Sequence, residues 1–114
     1  LSFYHGEGCV LLVAAGDARV DGGKYKAFFG RRPNMLSGVD VLAFTGHEVG
    51  GVCPFALDYE RTVVYVDVSL QRFETIFPAC GSGNSMIELT CDELFKYAQA
   101  KEWIDVCKLP TIEK

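Results

Sequence analysis

The sequence lacks any apolar run near the roughly 20 residues that a helix needs to cross a bilayer, so a membrane-spanning role is not indicated. No basic region followed by an apolar stretch is present, so no signal peptide is visible. Basic residues are not in excess: the formal charge is −4. A protein that grips nucleic acid by bulk electrostatics usually carries the opposite sign. No two cysteines form CxxC, and the two histidines, His5 and His47, do not supply zinc-ligand spacing. The phosphate-binding patterns GxxxxGK[ST] and GxGxxG are absent, which argues against nucleotide binding of those types and leaves no cofactor indicated. The acids are scattered, without a convincing carboxylate pair. There are no repeats, low-complexity tracts or linkers.

What is present fits one domain. The chain has 114 residues and is 49% hydrophobic, enough for one core and too short for two. Cys9, Cys53, Cys80, Cys91 and Cys107 are odd in number and mostly sit in apolar stretches, where a free thiol behaves as a small hydrophobe. That usage points to a reducing, cytoplasmic setting. The chain opens at Leu1, not Met, directly in a strand-like run, so the domain spanning 1–114 is expected to lack an N-terminal segment.

The patterning predicts strands over Leu1–His5 and Cys9–Ala14, joined by a turn at Gly6-Glu7-Gly8. Val10-Leu11-Leu12-Val13-Ala14 is continuously apolar, as in a strand buried on both faces. Asp17–Val20 reads as a loop, Lys24–Phe29 as a helix ending at Gly30, and Asn34–Leu36 as a short edge strand. Ser37 is the expected N-cap of a second helix carrying Val39, Leu42 and Ala43 and ending near Gly46. Thr62–Val66 is the clearest strand; Phe73–Pro78, Met86–Leu89 and Trp103–Val106 read as further strands. Thr90-Cys91-Asp92-Glu93 has the form of a capping box, opening a helix that buries Leu94, Phe95 and Ala98. Trp103 and the phenylalanines read as core packing rather than as a base-stacking platform. The whole reads as a mixed α+β domain.

Two glycine-rich loops are the candidates for chemistry. In Gly50-Gly51-Val52-Cys53-Pro54, adjacent glycines permit backbone geometry and close approach that a Cβ would hinder, and Pro54 stiffens the exit. Such a loop can aim N–H groups at a carbonyl or an oxyanion; on pattern alone it is equally a tight structural connection. Gly81-Ser82-Gly83-Asn84-Ser85 can line the same pocket from another strand end, or can be a plain hairpin turn. Cys53 and His47 share one loop and invite a thiol-nucleophile reading, but no third orienting residue is evident, and Cys53 reads better as a small loop residue. Lys24, Lys26, Arg31 and Arg32 crowd one stretch with no acid between them, either a solvated helix face or a phosphate contact patch.

Thr45-Gly46, three residues, then Gly50-Gly51-Val52-x-Pro54-Phe55 resembles the signature loop of the YbaK/EbsC, or prolyl-tRNA synthetase-associated, editing domains. Arg19-Val20-Asp21 with Lys24 and Gly30, then Val64-Tyr65-Val66-Asp67, then Ala79 to Asn84 with Ile87-Glu88-Leu89-Thr90 and Glu93-Leu94, follow in the family's order from about Cys9 to Val106. The resemblance implies a curved mixed β-sheet flanked by short helices, and trans-editing: hydrolysis of the ester of a mischarged aminoacyl-tRNA, typically tRNA(Pro) carrying Ala, Cys or a similar small amino acid. It implies that the backbone of Gly50 is catalytic and that Thr45, Gly46, His47, Gly51, Val52, Cys53, Pro54, Gly81, Ser82 and Gly83 bind substrate. Lys24, Lys26 and Arg31 are expected on tRNA phosphate. The implied partners are the acceptor end of aminoacyl-tRNA and an aminoacyl-tRNA synthetase, with no membrane and no metal. The family's functional lysine falls upstream of Leu1, and neither Lys24 nor Lys26 replaces it. The alternative is a catalytically silent tRNA- or synthetase-binding module of the same fold, which the acidic charge favours.

Overall fold

A computed structural model of the chain describes residues 1–47, 54–55, 57–77 and 88–109. Strand β1 (Ser2–His5) turns into β2 (Gly8–Val13) through Gly6 and Glu7, with His5 opposite Gly8. Gly6 takes φ 58°, the positive value that twisted two-residue hairpin turns need. At Gly8 the strand passes so close to the Arg61 carbonyl that a Cβ would collide with it. The Cys9 N–H donates to that same carbonyl at 2.8 Å.

β2 runs parallel to β4 (Thr62–Asp67), which runs parallel to β7 (Glu102–Ile104), giving the mixed order β1-β2-β4-β7. Because β2 is interior, its side chains are buried on both faces: Val10, Leu11 and Leu12 are each at most 3% exposed. Leu11, Val64 and Val66 form one core with Leu57, Leu70, Ile76, Leu89 and Leu94. Val10, Leu12 and Tyr65 form the other with Phe3, Tyr25, Ile104 and Val106.

The β2-to-β4 crossover carries β3 (Arg19–Val20), α1 (Gly22–Phe29) and α2 (Gly38–Thr45). Arg19–Val20, expected in a loop, instead pairs with β8 (Cys107–Lys108). That partner lies far along the chain, where local patterning cannot see it. α1 starts two residues earlier than Lys24, because Asp21 caps it by accepting the N–H groups of Gly23 and Lys24. The expected edge strand at Asn34–Leu36 is a single bridge, Phe3 to Met35.

After β4 comes a short 3-10 turn (Val68–Arg72), then β5 (Thr75–Ile76), which pairs with β6 (Leu89–Thr90). α3 (Cys91–Tyr97) opens with the expected capping box and buries Leu94, with Ala98 just beyond its end. Phe95 stacks on Trp103 with ring centroids 6.0 Å apart. Among the described residues, no helix is long and apolar enough to cross a membrane.

The helix expected to carry Val39, Leu42 and Ala43 is α2; it buries Val41 and Thr45, whereas Val39 and Leu42 face outward. The helix docks through one narrow stripe, with Asp40 bonded to the Tyr4 hydroxyl. The phenylalanines do not all pack inside: Phe28, Phe73 and Phe77 are exposed.

Candidate functional site

The site begins where α2 stops. Gly46 takes the left-handed conformation (φ 82°) and its N–H donates to the Leu42 carbonyl at 3.0 Å, closing the helix. Thr45 is fully buried. Its hydroxyl donates to Val41 O at 2.6 Å and accepts the His47 N–H at 3.1 Å, so one side chain satisfies groups on both sides of the turn. Thr62, the first residue of β4, donates its hydroxyl to Phe44 O at 2.7 Å and pins the helix end to the sheet.

His47 Nε2 lies 3.0 Å from the carbonyl oxygen of Phe55. A carbonyl only accepts, so Nε2 carries the proton. Pro54 is buried, and its carbonyl accepts the Tyr59 hydroxyl at 3.4 Å. The two ends of the signature segment are therefore tied to each other and to the sheet. Thr45, Gly46, His47 and Pro54 are brought together here. Gly50, Gly51, Val52 and Cys53 lie outside the described residues, as do Gly81, Ser82 and Gly83, and so does a contact between Cys53 and His47.

A cavity of about 340 Å³ opens at the C-terminal end of β2. Val13 and the Ala14-Ala15-Gly16 backbone form one wall; Leu70 and the segment Phe73–Phe77 form the other. The Ala15 N–H donates to Ser69 Oγ at 3.2 Å and joins the walls. Ala15, Leu70 and Ile76 belong to the same core as Leu57, against which Phe55 and Tyr59 pack, so cavity and signature segment rest on one face of the sheet. The sequence reading missed this cavity. The available signal was topological: ligands favour the C-terminal ends of parallel strands such as β2 and β4.

The basic stretch divides. Lys24 Nζ lies 3.1 Å from Asp105 and 3.1 Å from the Cys107 carbonyl, and its bond to Asp105 raises the ammonium's pKa. Lys26 and Arg32 are exposed and line a shallow 470 Å³ depression with Gly22, Gly23 and Pro33; Arg31 is exposed beside them.

Among the described residues no cluster of His, Cys, Asp or Glu could hold a metal ion. Cys9 and Cys107 are buried free thiols and Cys91 is half-buried. Burial and the neighbouring Asp67 push Cys107 up to about 12, the opposite of what a thiolate nucleophile needs. Burial also raises Cys9 and Cys91.

The sequence profile of the aminoacyl-tRNA editing domain matches residues 1–97. The uncharacterized protein YwhH of Bacillus subtilis (strain 168) is 56% identical over 107 residues, covering 92% of this chain and 68% of that protein. The solved structure of a candidate trans-editing enzyme for prolyl tRNA synthetase superposes with TM-score 0.83 at 25% identity, covering 95% of this chain and 68% of that one. The hypothetical protein APE2540 superposes with TM-score 0.74 at 29% identity, covering 89% of this chain and 66% of that one. With its mixed sheet, its tied signature segment and a profile match over most of its length, the chain belongs to the aminoacyl-tRNA editing domain family, the YbaK family.

Proposed function

We propose that this protein is a trans-editing aminoacyl-tRNA deacylase acting on tRNA(Pro) that carries Ala, Cys or a similar small amino acid. The observation that carries the reading is the editing-domain match over residues 1–97, which takes in the whole Thr45–Phe55 segment. Water adds to the ester carbonyl carbon, and the oxygen of that carbonyl gains negative charge. The ribose oxygen then leaves with a proton, giving free amino acid and tRNA with its hydroxyl restored. In this reading the Gly50 backbone stabilises the oxyanion, a role that preorganised N–H donors fill without a titrating side chain. Thr45, Gly46, His47, Gly51, Val52, Cys53 and Pro54 surround the aminoacyl group, with Gly81, Ser82 and Gly83 closing the pocket. The ties from His47 to Phe55 and from Thr62 to Phe44 support this, because they hold the segment's ends on the sheet. Lys26 and Arg31 contact acceptor phosphates in this reading, and Lys24 belongs with them only if it leaves Asp105.

The test is deacylation of Ala-, Cys- and Ser-charged tRNA(Pro) by the full-length protein. Faster loss of at least one ester supports the reading, and a Gly50→Ala variant should lose that acceleration. Unchanged half-lives for all three, with RNA or synthetase still bound, would instead mark a silent binding module.

A further inference from the structure

Phe73 and Phe77 are 45% and 59% exposed, although both belong to the wall of an otherwise apolar cavity. Phe77 directly follows β5 (Thr75–Ile76), whose Ile76 turns into the core; neighbouring side chains of a strand alternate, so the Phe77 ring points outward. Phe73 precedes β5, at a bend where the chain leaves the 3-10 turn, and its ring is outward as well. Thr75 is held by Glu88 across the β5–β6 pair, its hydroxyl donating at 2.7 Å. Arg72 lies 4.8 Å above the Phe73 ring, and a fork onto both carboxylate oxygens of Asp17 fixes its guanidinium. Two outward rings, with a restrained guanidinium over one, form a rim that core packing does not explain.

We infer that the Phe73–Phe77 stripe is a stacking platform for the unpaired 3′ end of an RNA, the terminal base lying on one ring and a preceding base on the other. This rests on the deacylase reading, in which the scissile ester sits on the ribose of a terminal adenosine. A flat base must then lie within one nucleotide of the carbonyl site. The cavity and Phe55, at the end of the signature segment, rest on the same core, so a base on the rim lies on that segment's side of the sheet. Residues four apart along a chain lie at most about 13 Å from one another, within the span of two successive bases of an extended single strand. Stacking tolerates any base, and aromatic and guanidinium planes are the groups single-stranded RNA uses. It also gives an acidic protein affinity for RNA that does not depend on net charge.

The test measures binding of uncharged RNA, so that it does not depend on hydrolysis. The full-length protein is titrated with an acceptor minihelix bearing its single-stranded CCA end and with the same minihelix cut back to a blunt duplex. The CCA-ended RNA should bind more tightly. Phe73→Leu and Phe77→Leu keep apolar volume but remove the ring, and each should weaken CCA-ended binding by about 5- to 100-fold while leaving the blunt duplex unchanged. Phe73→Trp should retain binding, and unfolding midpoints should confirm that the variants are folded. Equal affinity for the two RNAs, or Leu variants that bind like the wild type, overturns the platform. So does sedimentation showing that the rings pair two copies of the chain. A protein that prefers CCA ends through these rings yet never cleaves an ester keeps the platform and loses the deacylase reading. Cleavage untouched by the Leu variants, in kcat and KM alike, does the reverse.

Discussion

The imidazole Nε2 of His47 donates to the carbonyl of Phe55 at 3.0 Å, joining the residues on either side of the signature segment. The bond acts on position. It fixes the distance between two chain ends that would otherwise move independently, one leaving α2 and the other entering the core beside Leu57.

Replacing His47 with Ala should therefore lower kcat/KM for the edited ester by about 10-fold or more, since small misplacements of a catalytic backbone are costly. Stability should fall by only about 1 kcal/mol, the usual net worth of one hydrogen bond. Steady-state kinetics and urea unfolding on the same preparation separate the two effects. A loss of stability with unchanged kcat/KM would assign His47 to folding alone.

Gly8→Ala should destabilise the protein by about 1–3 kcal/mol or more, as overpacking does. The new methyl would meet the rigid Arg61 carbonyl rather than a side chain able to swing away. Thermal unfolding checks this, and Gly16→Ala, where a Cβ meets nothing, should be close to neutral.

Cys107 gives a pH signature. Its folded pKa stands at about 12 against an ordinary 9.0, so folding disfavours the thiolate. The stability it contributes is fully present below pH 9 and is lost as pH rises from there toward 12, on the order of a few kcal/mol. Urea unfolding at pH 8, 9, 10 and 11 should show the decline. Cys107→Ala should start lower, because it leaves a small cavity, but should decline less steeply.

Lys26→Glu with Arg31→Glu should raise KM for charged tRNA and reduce the salt slope of RNA binding by about 1 for each lost phosphate contact. Lys24→Gln should leave that slope unchanged, because its ammonium is held by Asp105 and the Cys107 carbonyl. Binding measured from low to moderate salt distinguishes these outcomes. A reduced slope in Lys24→Gln would return that lysine to the RNA surface.

Much of the fold was legible because its causes are local. Ser37 caps α2 and Thr90 with Glu93 caps α3, each through atoms no more than three residues apart. The unbroken apolar run of β2 announced an interior strand, and the structure gives it neighbours on both sides. The end of α2 at Gly46 was legible because a glycine takes the left-handed C-cap conformation there. The ties of Lys24 were illegible for the opposite reason. Its partner Cys107 is 83 residues away, and nothing in Lys24-Tyr25-Lys26 reports it. Phe73 and Phe77 read as core residues in the sequence because hydrophobicity gives no direction to a side chain. The strand phase set by Ile76 turns Phe77 outward, and the bend before β5 leaves Phe73 exposed.

By itself, then, the sequence determined the α+β class, the caps of α2 and α3, the interior strand and the family to which the loop belongs. Each follows from dihedral preference or from contacts within a few residues. The tertiary structure alone decided that β3 pairs with β8 and that the buried Asp67 carboxylate accepts the Val106 N–H 39 residues on. It alone opened a cavity on the core that also seats Phe55, with aromatic rings on its rim. Those features arise where separate stretches of chain meet, and burial and hydrogen bonding between such stretches depend on how the whole sheet is assembled.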